Sequence, residues 1–143
     1  MDIINFRHTG IVTKNLKQSL FFYQRLLKLK VIKTTNENKK LMTKILKVKN
    51  CNLKTVKLGL KNIIFLELLY FKNSTKKKTN IKINTPGLTH ISLSVKNIEN
   101  IYKVLKLNKV VFLSKPQFSK DKKVKLVFCK SPENIFIELV QQL

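Results

Sequence analysis

His8-Thr-Gly-Ile-Val-Thr-Lys-Asn-Leu16 lies over His90-Ile-Ser-Leu-Ser-Val-Lys-Asn-Ile98 without a gap. Both stretches keep a histidine, a Lys-Asn pair and an apolar residue after it. A second match sets Ile64-Phe-Leu-Glu67-Leu-Leu69 over Ile135-Phe-Ile-Glu138-Leu-Val140, the second copy being 11 residues shorter between its His and its Glu. A chain written twice is two copies of one supersecondary unit, so each copy helps to read the other.

Within a copy the order is strand, helix, then further strands. Phe6 to Thr13 alternates and is β-rich, and Asn15 can cap the helix that follows. Leu16, Leu20, Tyr23 and Leu27 then recur at helical spacing, which predicts an amphipathic helix running to about Leu29; Ile98, Ile101 and Leu105 repeat that stripe. Strands are expected at about Lys30 to Thr34, Leu53 to Leu60 and Ile63 to Phe71, and again at about Val110 to Leu113, Lys123 to Cys129 and Ile135 to Gln141. Asn36 to Asn50 has room for a short helix. Lys72 to Pro86, polar and including the densest basic run, Lys76-Lys77-Lys78, reads as a surface linker. The expected class is α+β: two βαβββ modules, about residues 1–71 and about 87–143, within one domain spanning 1–143.

Length and composition agree with one domain. At 143 residues and 43% apolar content the chain can bury a core without disulfides or a structural metal. The first residues carry no basic segment followed by an apolar one. The longest apolar run, Ile63 to Phe71, is too short for a membrane span and is interrupted by Glu67. A soluble cytoplasmic protein is expected. Cys51 and Cys129 stand far apart, with no CxxC spacing, and read as small buried hydrophobes in a reducing compartment.

The net charge of +23 is the usual footprint of a nucleic-acid binder. The details oppose that class. Only Arg7 and Arg25 are arginines, and the lysines are scattered rather than gathered into one arm, whereas specific readers of nucleic acid favour the planar arginine fork. No specific nucleic-acid partner is expected. A strongly positive surface does steer small anions such as carboxylates, phosphates or coenzyme A esters toward any cleft it surrounds, so an anionic small-molecule substrate is.

Of seven acidic residues, Asp2, Glu37, Glu99, Asp121 and Glu133 sit in polar surroundings where a solvated role suffices. Glu67 and Glu138 lie in the middle of apolar strands, where a lone carboxylate would cost several kcal/mol. Such a group is kept only if it is paired, bound to metal or held protonated. A lone strand histidine is usually structural, and a buried Glu can simply be salt-bridged. Here the two histidines of the chain, one per module, fall in register with the two glutamates. His8, Glu67, His90 and Glu138 would form a mixed N/O site suited to one divalent ion: Fe(II), Ni(II), Co(II), Mn(II) or Zn(II).

The order of motifs resembles the vicinal oxygen chelate superfamily of glyoxalase I, methylmalonyl-CoA epimerase, extradiol dioxygenases and bleomycin-resistance proteins. The pieces are His8-Thr-Gly-Ile-Val12, Ser19-Leu-Phe-Phe-Tyr23 with Leu26-Leu-Lys-Leu29, Leu66-Glu-Leu-Leu-Tyr70, Leu88-Thr-His-Ile-Ser-Leu93, and Ser131-Pro-Glu-Asn134 before Ile137-Glu-Leu139. The resemblance implies a curled, eight-stranded mixed sheet whose inward strands present His8, Glu67, His90 and Glu138 to the metal, and a homodimer. Lys28 and Asn134 stand at turn positions where the family usually has Gly. Val12 and Phe71 stand where glutathione-dependent glyoxalase I has the Arg and Asn that contact glutathione, which weakens that substrate assignment.

The resemblance implies a lyase or isomerase, glyoxalase- or epimerase-like, that moves a proton next to a carbonyl of a metal-chelated substrate through an enediolate. Glu138, ahead of Glu67, would be the general base, a role suited to a partly desolvated carboxylate of raised pKa. Two other classes stand beside it: a non-catalytic small-molecule-binding or resistance protein of the same fold, and an Fe(II) dioxygenase, which Glu67 as a fourth protein ligand would crowd.

Overall fold

The computed structural model describes residues 4–75, 82–88 and 90–143. The chain divides into two compact units, Met1–Lys77 and Lys78–Leu143. The Lys76-Lys77-Lys78 run, Asp2 and Thr89 lie outside the described residues.

The first unit begins with β1 (Thr9–Thr13), followed by α1 (Leu16–Leu20), which continues as a π-helical segment (Phe21–Leu26). Then come β2 (Lys30–Asn36), a short helix α2 (Lys39–Leu46), β3 (Leu53–Leu60) and β4 (Ile63–Phe71). The second unit runs β5 (His90–Ser94), α3 (Ile98–Leu107), β6 (Gln117–Phe118), β7 (Val124–Lys130) and β8 (Phe136–Gln142). The eight strands form two four-stranded mixed sheets of identical topology, β1-β4-β3-β2 and β5-β8-β7-β6. In each, the first strand pairs parallel with the last and the remaining pairs are antiparallel. The class is α+β, built from two βαβββ units. Among the described residues no helix is long and apolar enough to cross a membrane.

The repeated Lys-Asn pair has a local cause. Asn15 Oδ1 accepts the backbone N–H of Gln18 at 3.0 Å, and Asn97 Oδ1 accepts that of Asn100 at 2.9 Å. Each asparagine satisfies an amide at a helix start that has no partner within its helix. Buried Thr13 and Ser19 share a hydroxyl–hydroxyl bond of 2.6 Å that ties β1 to the helix.

Three expectations need correction. The strand expected from Phe6 begins at Thr9, so His8 sits just before it. The first helix stops at Leu26 rather than Leu29, because its second half is π-wound: Leu27 N–H donates to Phe22 O, and Leu29 N–H to Tyr23 O, across Lys28 at φ 61°. The strand expected at Val110 to Leu113 is reduced to one bridge, Phe112 to Cys129. Lys130 N–H still donates to Val111 O and Leu113 N–H to Phe128 O, but the chain bends at residues 113–115 and leaves the ladder. Pairing resumes only at Gln117–Phe118.

The core of the first unit contains Ile11, Phe22, Tyr23, Leu58, Leu66 and Leu68; that of the second contains Ile98, Leu105, Val127, Ile137 and Leu139. Cys51 and Cys129 are fully buried free thiols, and burial pushes the Cys129 thiol up from 9.0 to about 12.

With three glycines in all, lysine and asparagine fill left-handed positions that glycine usually holds. Lys109, at φ 61°, closes α3 in a Schellman motif: its N–H donates to Lys106 O, and Val110 N–H donates to Leu105 O. Lys61 and Asn62, both at positive φ, make the two-residue turn between β3 and β4. Gly59 is irreplaceable there, since a Cβ would lie 1.8 Å from Ile63 O.

Lys28→Gly and Lys109→Gly should each raise the unfolding free energy in urea by about 0.5–1 kcal/mol, because relief of left-handed strain outweighs glycine's extra chain entropy. Gly59→Ala should lower it by about 2 kcal/mol or more. A colorimetric thiol reagent at pH 8 should label neither cysteine until the chain is unfolded. The folded Cys129 thiol stays neutral where the unfolded one ionises, so stability should fall as pH rises from about 9 toward 12.

Candidate metal centre

Glu67 lies on the interior strand β4, between Gly10 of β1 and Lys57 of β3. The parallel register brings His8, two residues before Gly10, diagonally beside it, with His8 Nε2 at 3.0 Å from Glu67 Oε2. Lys57 Nζ stands 3.5 Å from the other oxygen, Oε1. The second unit repeats the arrangement. Glu138 lies between Ser92 and Phe128, and His90, two residues before Ser92, places Nε2 at 3.8 Å from Glu138 Oε2. The Phe128 ring meets the His90 ring edge to face, centroids 5.4 Å apart.

The structure therefore brings His8 to Glu67 and His90 to Glu138. Among the described residues each unit brings two such donors together, and no group of three or more His, Cys, Asp or Glu side chains could hold a metal ion.

The carboxylates are less deeply set than an apolar strand suggests: the side chains of Glu67 and Glu138 are 12% and 20% exposed, and those of His8 and His90 29% and 41%. Strand alternation explains the difference. Leu66 and Leu68, like Ile137 and Leu139, face the core, whereas Leu69 and Val140 on the glutamate faces are only half-buried. Both pairs thus lie on partly open sheet faces.

The other described acids are engaged locally. Glu37, half-buried rather than solvated, accepts the hydroxyl of Thr55 at 2.7 Å; Glu99 pairs with Lys125. Glu133 and Ser131 are bonded within the Ser-Pro-Glu-Asn turn, which closes on Asn134 at φ 66°. The Ser119 hydroxyl and then the Lys123 amide hold the Asp121 carboxyl below its ordinary range. Arg25 is exposed, and Tyr70 and Phe71 are half-buried.

Lys57 and Phe128 did not emerge from the sequence. Counting back from the Lys61-Asn62 turn would place Val56 opposite Glu67. The irregularity at Leu58/Gly59 shifts the register by one and puts Lys57 there.

The profile of the Glyoxalase/Bleomycin resistance protein/Dioxygenase superfamily matches residues 5–139. The chain belongs to this superfamily. No curated protein matches it in sequence, but solved structures of the superfamily share its fold. A glyoxalase family protein from Bacillus cereus superposes with a TM-score of 0.88 at 14% identity, covering 100% of this chain and 97% of that one. The trypanothione-dependent glyoxalase I of Leishmania major gives 0.69 at 20% identity, covering 96% and 86%. The fosfomycin resistance protein FosX of Listeria monocytogenes, solved with Mn(II) and sulfate, gives 0.65 at 12% identity, covering 99% and 95%.

If the histidines and glutamates serve ligand binding rather than folding, His8→Ala and Glu138→Ala should each change metal-free stability by less than about 1 kcal/mol, the range of part-exposed ion pairs. Leu68→Ala and Leu139→Ala, which empty fully buried sites, should each cost about 2–5 kcal/mol in the same urea titration.

Proposed function

We propose that the chain is a metal-dependent lyase or isomerase whose single divalent ion, Fe, Ni, Co, Mn or Zn, is held by His8, Glu67, His90 and Glu138. The observation that carries this reading is the repetition of one His–Glu pair in identical register in both units, at 3.0 Å and 3.8 Å. Two imidazoles and two carboxylates are a donor set such ions accept. Among the described residues one unit brings together two donors, fewer than the three protein ligands of a catalytic centre. The reading therefore needs a first and a second unit, from one chain acting as a single domain or from two chains of a homodimer.

Bound there, the ion would polarise a substrate carbonyl and stabilise developing negative charge on its oxygen. The chain's own part is to hold the substrate and take the proton from the adjacent carbon. Glu138 suits that task better than Glu67. Glu67 is held from both sides, by His8 and Lys57, whereas Glu138 has the longer histidine contact and an aromatic neighbour in place of a cation. A carboxylate held more loosely can exchange partners during a proton transfer. The surplus of positive charge favours small anionic substrates. A soluble enzyme of the cytoplasm fits this reading.

Elemental analysis and calorimetry on the wild type should find one divalent ion per site. His8→Ala and Glu138→Ala should each weaken its binding by at least about 100-fold, since loss of even an outer partner typically costs 10–100-fold. A wild-type protein that takes up no divalent ion would remove this reading and leave a ligand-sequestering protein of the same fold as the better account.

A further inference from the structure

We infer that α2 is a lipid-docking helix, its outward apolar face and the lysines around it forming a reversible attachment site for an anionic bilayer surface. The inference is independent of the metal centre.

α2 departs from the other helices in what it covers. The first helix buries Ser19, with Phe22 and Tyr23 in its π-wound half, and α3 buries Ile98 and Leu105, whereas α2 buries no residue. Its sequence is amphipathic nonetheless. At about 100° per residue, Leu41, Met42, Ile45 and Leu46 fall within one arc of about 140°, and Lys39, Lys40, Thr43 and Lys44 occupy the remainder. The helix is tied to its unit from the polar side: the Thr43 hydroxyl accepts the backbone N–H of Cys51 at 3.0 Å, and Cys51 is fully buried. The apolar arc is left outside, with Leu41 49%, Ile45 59% and Leu46 40% exposed. An amphipathic helix normally turns such a stripe toward its own core.

Charge identifies what covers it. From Asn38 to Lys54 the chain has six lysines and no acidic residue, and the lysines of α2 and of the turn after it, Lys47 and Lys49, are all exposed. Lys72, whose N–H donates to Asn52 O, brings a further exposed cation beside that turn. A second copy of the chain would carry the same lysines and its own net charge of +23, so repulsion opposes pairing through this face. A protein groove that takes a helix reads anchors at i, i+3 or i+4, and i+7. Counted from Leu41, i+7 is Val48, beyond the end of α2. A lipid surface asks for less: a few apolar side chains pressed into the headgroup boundary, with lysine stems along it and ammoniums at the phosphates.

The chain has no tryptophan, so one placed in α2 reports from a single position. The full chain carrying Ile45→Trp should bind vesicles of equimolar phosphatidylserine and phosphatidylcholine with a blue shift of its emission, and should do neither with phosphatidylcholine alone. Ile63→Trp, at a site 69% exposed at the start of β4, should bind the same anionic vesicles without a shift. In sedimentation with those vesicles, Leu41→Ser together with Ile45→Ser should weaken binding at least about tenfold, because two apolar side chains are withdrawn from the boundary. Leu107→Ser, at a site 83% exposed on α3, should leave it unchanged. Binding of Ile45→Trp without a blue shift, or undiminished binding of the folded double-serine variant, would mean that net charge alone holds the chain to lipid, and overturns the inference. No binding to anionic vesicles overturns it as well. So does a blue shift given by calcium-loaded calmodulin, a protein that takes amphipathic helices, but not by the vesicles.

Discussion

In both units a parallel strand pair sets the start of one strand beside the middle of another, and this offset lets a histidine reach a carboxylate on the neighbouring strand. The glutamate strand is interior, hydrogen-bonded along both edges, so its side chains have fixed directions. Parallel pairing requires a crossover. The helix after the first strand and the antiparallel strands that follow supply it, and the Asn15 and Asn97 caps fix where each crossover begins. The helix starts, the hairpin turns and the Schellman closure are thus preconditions of two contacts, His8 to Glu67 and His90 to Glu138.

Much of this was legible in the sequence because it is written in local chemistry that appears twice. Asparagine at a helix start, strand alternation and a polar gap between copies are each set by nearest neighbours, and Leu53–Leu60 and Ile63–Phe71 fall where the pattern places them. What escaped depends on geometry that composition does not encode. The π-wound end of the first helix still carries a helical stripe. The loss of regular pairing before Gln117 comes with a bend at residues 113–115. Alternation assigns Glu67 and Glu138 to a face but not a depth, so they read as buried when they are only partly covered. The cation beside Glu67 was hidden by a one-residue shift within a hairpin, since a single bulge re-pairs every position beyond it.

The left-handed residues follow the chain's composition. Lys28, Lys47, Lys109 and Lys122 all adopt positive φ, where a side chain costs on the order of 1 kcal/mol per residue. Lys28 and Asn134 occupy turns where the resemblance expects glycine, and both turns form with the same handedness glycine would allow. A fold tolerates such replacements when the hydrogen bonds around the turn are made regardless, as they are at Lys109 and Asn134. Absence of glycine from a familiar motif is therefore poor evidence against the fold.

The two His–Glu pairs differ in their surroundings. Were the histidines present only to neutralise part-buried carboxylates, His8 would be largely redundant beside Lys57, which already supplies a permanent charge to Glu67. His90, at 3.8 Å and the most exposed of the four side chains, would be a poor neutraliser of Glu138. A structural ion pair gains from short, enclosed geometry; long contacts on open faces gain little. What the two copies share is the register of imidazole against carboxylate; how closely each pair is held differs, at 3.0 Å and 3.8 Å. The cation of Lys57 has Phe128 as its counterpart in the second unit, so the glutamate of the first pair is the more firmly held of the two.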